Sequence, residues 1–347
     1  MINRRKDKAK NKILAFFLQK ILFYGTKYLP LHVKFRNKHM EKSFKELLKV
    51  SFKSEDTEEW LDVYFTRPVG LVFALFWNKL GVHPNVITIL SIILGATGGC
   101  LFYFPDLYHN IWAVVLLMLA NFCDSTDGQM ARLTGKKTLL GRVLDGFASD
   151  VWFFCVYWAL VFRLWSQPMP LLGVNWGIWG FLLASTAGFL SHAPQARLAD
   201  YYRQIHLYFL LGEEGSELNS YRQQRAILES LPRDEWFARA YYYNYANYCK
   251  AQEHSTPKFQ AFFAKWQQQP DETVRQELLA GSRPLMKYTN LLTHNLRAYT
   301  LFATALLGCP WVYLLVEVVV MNLMYVYMHR THEKLCERLT AKIRPKT

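Results

Sequence analysis

The sequence predicts an all-α membrane protein with six spans, N-terminal interfacial helices and a helical cytoplasmic insertion, and three observations carry that expectation. The 347 residues are 52% hydrophobic and 16% aromatic, yet the mean hydropathy is close to zero, so long apolar stretches alternate with strongly charged ones. Apolar runs approach the roughly 20 residues that a bilayer-crossing helix needs. Lysine and arginine gather between those runs on one side only, as the positive-inside rule requires.

Residues 1–67 form a basic N-terminal region. Its first 50 residues hold 14 Lys/Arg against three acids. Lys12–Tyr24 is apolar but interrupted by Lys20, and no small-residue cleavage site follows. It therefore reads as an amphipathic helix on anionic lipid rather than a signal peptide. Asp56 with Glu59 three residues on is a capping pattern, and Pro68 kinks or restarts the helix that follows. Val69–Leu80 is too short to span and rests in the interface ahead of His83-Pro84-Asn85.

Residues 68–192 then supply four expected spans: Val86–Phe104, Ile111–Asn121 continuing to about Arg132, Val143–Leu164 and Leu171–Leu190. Residues 298–328 supply two more, Ala298–Cys309 and Trp311–Met328, followed by a basic tail over 329–347. With a cytoplasmic N-terminus, six spans put Lys136, Lys137, the segment 193–297 and the tail on the same side. The opposite loops Pro105–Asn110, Trp165–Pro170 and the link at Pro310 carry no Lys or Arg. Both termini are thus expected in the cytoplasm.

Segment 193–297 holds 13 basic and 11 acidic residues and aromatic clusters such as Tyr241-Tyr242-Tyr243. Its spacing suggests amphipathic helices packed on one another or on the membrane face. It carries no catalytic motif, and a structural or regulatory cap is the expectation. The six cysteines show no CxxC spacing, so neither a disulfide nor a zinc site is expected. No nucleic-acid partner is expected either.

The chemistry concentrates at Asp124, Asp127, Gly128, Ala131, Arg132, Gly141 and Asp145. Ionisable groups in apolar helices are disfavoured by a few kcal/mol or more, and three like charges repel unless cations or protons intervene. Asp124 and Asp127, at i and i+3, share a helix face. Carboxylate oxygens in this pattern suit Mg²⁺ or Mn²⁺ rather than zinc. Gly128 leaves room for a ligand, Ala131 keeps the face low, and Arg132 offers a fork of donors to phosphate. After a turn, Gly141 and Asp145 repeat the small-then-acid pattern. A cation cluster there would neutralise a diphosphate and stabilise a leaving phosphate. An ion pathway or structural charge cluster is the competing reading, although a transporter would place its acids nearer the bilayer midplane.

The string DSTDGQMARLTGKKTLLGRVLD, Asp124–Asp145, resembles the signature of the CDP-alcohol phosphotransferase family, D-x2-D-G-x2-A-R-x8-G-x3-D-x3-D. His83-Pro84-Asn85-Val86-Ile87-Thr88 is similar to the family's pre-span Pro-Asn-x-x-Thr. The resemblance covers residues 68–192, and 298–328 by span count only. It implies a six-helix membrane fold, usually a homodimer, that moves a phosphate-linked alcohol from a CDP-alcohol donor to a hydroxyl acceptor and releases CMP. It assigns Asp124, Asp127 and Asp145 to metal binding, and Gly128, Ala131, Arg132 and Gly141 to the nucleotide pocket, with Asn85 and Thr88 near the cytidine.

One position departs from the signature. Where the family places the aspartate expected to act as base, this chain has Ser149, followed by Asp150. On a regular α-helix Asp150 lies about 140° around from Asp145. A π-bulge among Gly146, Ala148 and Ser149 would restore its face, which predicts Asp150 as base and fourth metal ligand. The expected function is metal-dependent transfer, with CDP-diacylglycerol as donor and a polar or phosphorylated-polyol acceptor, in phospholipid biosynthesis. The alternatives are a small CDP-alcohol with a lipid acceptor, and a non-catalytic protein binding lipid or nucleotide on the same fold. Lys136, Lys137, Arg142, Arg197 and Arg203 are the basic candidates for a phosphorylated acceptor, against the plainer reading of solvated or headgroup-facing charges.

Overall fold

The computed structural model describes residues 54, 56, 57 and 62–343, apart from 137 and 171. The amphipathic helix expected at Lys12–Tyr24 and the capping residue Glu59 lie outside them. The described residues are helical, with one isolated β-bridge between Pro168 and Asn175. Helix α1 (Arg67–Lys79) follows a π-helical turn, Asp62–Thr66, and begins at Arg67-Pro68, where a missing N–H costs nothing.

Three long helices follow, each with an identifiable start. In α2 (Pro84–Leu101), His83 Nδ1 accepts the Asn85 N–H at 3.2 Å. In α3 (Leu107–Thr134), Asp106 Oδ1 accepts the His109 N–H at 3.1 Å. In α4 (Leu139–Leu164), Thr138 Oγ1 accepts the Gly141 N–H at 2.9 Å. Each cap satisfies an amide that the first helical turn leaves orphaned. Helix α3 ends at Gly135, whose φ of 69° is the left-handed conformation that closes a helix at low cost to glycine.

Small residues let α2 wedge between its neighbours. A Cβ on Gly98 would lie 2.9 Å from the Ala113 carbonyl of α3, and one on Gly99 would lie 2.9 Å from the Trp152 carbonyl of α4. Gly95 receives the five-membered ring of the Trp152 indole, 2.1 Å from a Cβ built there. Close backbone approach at small residues is the usual packing device of membrane helices, where burial supplies little drive. The outward faces stay apolar and exposed, with Val86, Ile89, Ile93, Phe147, Phe154 and Phe162 among them. At the end of α4, buried Arg163 donates to the Phe102 carbonyl at 3.2 Å and to Asn110 Oδ1 at 2.9 Å.

The expectation of six spans is corrected by the lengths of the remaining helices. Among the described residues four helices are long and apolar enough to cross a membrane: Pro84–Leu101, Leu107–Thr134, Leu139–Leu164 and Trp311–Thr340. They are consistent with a multi-pass membrane protein. In the stretch expected as a fourth span, helix starts only at Gly177, giving α5 (Gly177–Ser185), a π-helical segment Thr186–His192 and α6 (Ala193–Leu211). Polar Ser191, His192 and Gln195 end the apolar run after roughly 14 residues, ~21 Å of helix, short of the ~30 Å hydrocarbon core. The expected fifth span is α12 (His294–Leu306), 13 residues long, or about 20 Å.

A buried polar network occupies that region. Arg297 Nε donates to Glu317 Oε1 at 2.9 Å, and its Nη2 donates to Gln195 Oε1 at 2.5 Å. Gln195 Nε2 donates to Asn322 Oδ1 at 2.7 Å, and Asn322 Nδ2 donates to Ser191 Oγ at 2.9 Å. Glu317 lies in a third π-helical segment, Val316–Met321. Apolar composition alone conceals such a network, because its members come from segments more than a hundred residues apart, and Glu317 and Asn322 are single polar residues in an apolar run.

Segment 193–297 contributes α6, α7 (Tyr221–Ser230), α8 (Trp236–Ser255), α9 (Pro257–Gln268), α10 (Glu272–Ser282) and α11 (Met286–Leu291) before α12. Tyr202, Phe259, Phe262 and Leu278 share one core with Met328, Cys336 and Leu339. The last helix runs as α13 (Trp311–Leu315), the π-helical segment and α14 (Asn322–Thr340). Residues 329–340, expected as a basic tail, are thus the continuation of that helix into the insertion's core.

Candidate metal centre

The turn between α3 and α4 brings the two acidic helix ends together. Carboxylate oxygens of Asp124, Asp127 and Asp145 all lie within 4.8 Å of one another. Exposure is graded across the group: Asp127 is buried, Asp124 partly buried and Asp145 exposed. Asp127 Oδ2 is buried and has no hydrogen-bond partner among the described residues, an acceptor whose desolvation they do not compensate. An all-oxygen donor set with an orphaned carboxylate oxygen fits Mg²⁺ or Mn²⁺. Three carboxylates at this separation are otherwise mutually repulsive.

The surrounding expected residues take distinct places. Thr88 lies within reach of Asp127, while its hydroxyl also faces the Pro84 carbonyl at 3.3 Å. Asn85 Nδ2 donates to Thr138 Oγ1 at 3.3 Å, tying the start of α2 to the cap of α4. Gly141 makes that approach possible, because a Cβ there would lie 2.7 Å from Asn85 Oδ1 and 3.0 Å from Thr138 Oγ1. Gly128 is different: a Cβ on it would meet nothing nearer than the Arg132 guanidinium at 3.6 Å. Packing within the protein therefore does not require a glycine at 128, and the room it leaves opens toward Arg132. Ala131, one residue before Arg132 on α3, is partly buried.

The π-bulge expected between Asp145 and Asp150 is absent. Helix α4 is regular from Leu139 to Leu164, so the backbone turns about 500° over those five residues. The structure does not bring exposed Asp150 to the other three carboxylates. Ser149, four residues after Asp145, shares the face of Asp145 to within about 40°.

Two pairings carry no sequence signal, although Arg142 itself is among the basic candidates named from the sequence. Arg67, at the head of α1, lies close enough to act electrostatically on Asp124. Its carbonyl accepts the Gln129 side-chain N–H at 3.2 Å. Arg142, on α4, meets Tyr241 of the insertion. Both pairings join positions dozens of residues apart, and no local spacing announces them.

Comparison with known proteins agrees with this geometry. Residues 81–200 match the CDP-alcohol phosphatidyltransferase family. A phosphatidylinositol phosphate synthase from Streptomyces avermitilis is 35% identical over 82 residues, 24% of this chain and 32% of that protein. One from Corynebacterium glutamicum is 33% identical over 101 residues, 28% of this chain and 45% of that protein. An archaetidylinositol phosphate synthase from Pyrococcus horikoshii is 36% identical over 67 residues, 19% of this chain and 34% of that protein. The chain thus spans between about a third and a half of the length of these relatives. With the three carboxylates, the glycines and the arginine of the signature assembled on α3 and α4, residues 81–200 constitute a CDP-alcohol phosphatidyltransferase family domain.

Proposed function

We propose that this protein catalyses a metal-dependent transfer in lipid metabolism, moving a phosphate-linked alcohol from a CDP-alcohol to a hydroxyl acceptor and releasing CMP. The observation that carries the reading is the convergence of Asp124, Asp127 and Asp145 within 4.8 Å at the junction of two long apolar helices. Asp124, Asp127 and Asp145 would hold Mg²⁺ or Mn²⁺, which when bound neutralises diphosphate charge and stabilises the leaving phosphate. Arg132 supplies donors to the phosphates, and the open side of Gly128 admits them. Asn85 and Thr88, held at the start of α2, line the nucleotide side.

CDP-diacylglycerol is the proposed donor. The relatives' names point to lipid inositol phosphates as their products, which supports a lipid-linked donor with a polar polyol acceptor. The acceptor hydroxyl attacks the phosphorus bearing the lipid alcohol, the pyrophosphate bond to CMP breaks, and the hydroxyl proton passes to solvent water. In this reading no carboxylate on the Asp145 face takes that proton, because Ser149 occupies the position. The charge distribution along the chain supports placing the site at the cytoplasmic face.

Ser149 also favours a second reading, in which the domain binds nucleotide without turnover. Incubating the purified full chain with CDP-diacylglycerol, Mn²⁺ and a panel of polar alcohols separates the two. CMP release that disappears in Asp124→Asn supports transfer. CDP binding with no CMP release from any acceptor supports the second reading.

A further inference from the structure

The insertion over 193–297 lies outside most of the matched domain, yet one of its helices reaches the rim of the candidate metal centre. Arg142 precedes Asp145 by three residues on α4, so the two side chains leave one side of the helix about a turn apart. Arg142 is exposed, has the Tyr241 hydroxyl as a polar partner, and lies close enough to Tyr245 and Glu217 to feel their charge. Tyr241 and Tyr245 belong to α8, and Glu217 to the loop ahead of α7.

These groups are held in place from behind. The rings of Tyr241, Tyr245 and Tyr248 stack as a ladder, with centroids 5.6 and 6.2 Å apart and planes within 11°. Asn219 Nδ2 donates to the Tyr245 hydroxyl at 3.0 Å, and the Tyr248 hydroxyl donates to Asp200 Oδ2 at 3.2 Å. The Glu217 backbone N–H donates to Gln204 Oε1 at 2.8 Å, which fixes the loop that carries its exposed side chain. A guanidinium one helical turn from Asp145, the phenol that pairs with it and a neighbouring carboxylate are thus gathered on a fixed aromatic support.

The chemistry of that set selects among alcohols. Arg142 only donates, Glu217 only accepts, and Tyr241 does both, which matches the alternating needs of neighbouring hydroxyls on one carbon skeleton. The ammonium of an amino alcohol is drawn to Glu217 but repelled by Arg142, so it matches one member of the set, whereas neighbouring hydroxyls can pair with all three. A site built to hydrogen-bond hydroxyls discriminates strongly against compounds lacking them. Resting on the proposed transferase reading, we propose that Arg142, Tyr241 and Glu217 form one wall of the acceptor subsite, so that the insertion selects a polyol acceptor.

The test measures CMP release by the full chain in nanodiscs with saturating CDP-diacylglycerol and Mn²⁺, varying myo-inositol, inositol phosphate or serine. Tyr241→Phe and Glu217→Gln are each expected to raise the KM for the two polyols about tenfold. The kcat and the donor KM should stay within about twofold, with unaltered thermal unfolding. Serine should be a poor acceptor in every form. Unchanged polyol KM in both variants, or serine preferred to inositol, overturns the wall and leaves the transferase reading standing. No CMP release from wild type with any acceptor overturns both. A loss confined to kcat also overturns the wall, since it would mark a structural role.

Discussion

Ser149 stands four residues after Asp145 on an unbroken α-helix and so shares its face, while the carboxylate of Asp150 is carried round to another. The fourth carboxylate of the family signature is therefore missing in space as well as in sequence. Restoring it is a direct manipulation. Ser149→Asp is expected to raise the rate of CMP release by about 10²-fold, the lower end of what a positioned general base supplies. Asp150→Asn is expected to leave the rate nearly unchanged. Loss of activity in Asp150→Asn with retained metal binding would return the role of base to Asp150.

The buried pair Arg297–Glu317 predicts an asymmetric stability response. Both side chains are almost wholly inaccessible, at 1% and 0%. Glu317→Ala leaves a buried guanidinium unpaired and is expected to cost roughly 3–5 kcal/mol. The double variant Arg297→Met, Glu317→Leu should recover most of that. Thermal unfolding of detergent-solubilised protein measures both, and equal losses in the single and double variants would contradict the pairing.

Helix packing at Gly95 gives a test independent of chemistry. A side chain there enters the Trp152 indole, and a rigid ring between two packed helices has little room to yield. Gly95→Leu is expected to destabilise by at least about 1–3 kcal/mol, and Gly95→Leu with Trp152→Ala should regain part of the loss.

Acid should loosen the junction between the insertion and the apolar helices. Burial, followed by the Arg297 charge, pushes His294 down to about 4 from its ordinary value of 6.5. The unfolded chain then binds more protons than the folded one between those values. Stability is fully present above about pH 6.5 and falls as pH drops toward 4, by at most about 3 kcal/mol from this residue. His294→Gln should flatten that part of the stability curve measured from pH 7 to pH 4. An unchanged slope would assign the acid sensitivity elsewhere.

The candidate metal centre was legible in sequence because its ligands sit within 22 residues, at spacings that helix geometry converts directly into faces. The three long helices α2–α4 were legible for the same reason, their apolar runs being continuous. Span number was not legible, because Ser191, Gln195, Arg297, Glu317 and Asn322 satisfy one another only in three dimensions. Nor was the register of α4 near Ser149, where small residues permit a bulge but do not require one. The meeting of Arg142 with Tyr241 depends on how a separate helical layer docks, and no periodicity within either segment encodes it.

The central claim is that Asp124, Asp127 and Asp145 together hold a divalent cation that serves a CDP-alcohol. Titrating the purified protein with Mn²⁺ and following free ion by electron paramagnetic resonance, with and without CDP, measures it directly. Saturable Mn²⁺ binding, tightened by CDP and weakened at least about tenfold by each of Asp124→Asn, Asp127→Asn and Asp145→Asn, is the expected result. Mn²⁺ binding that is absent, or indifferent to all three substitutions, would contradict it.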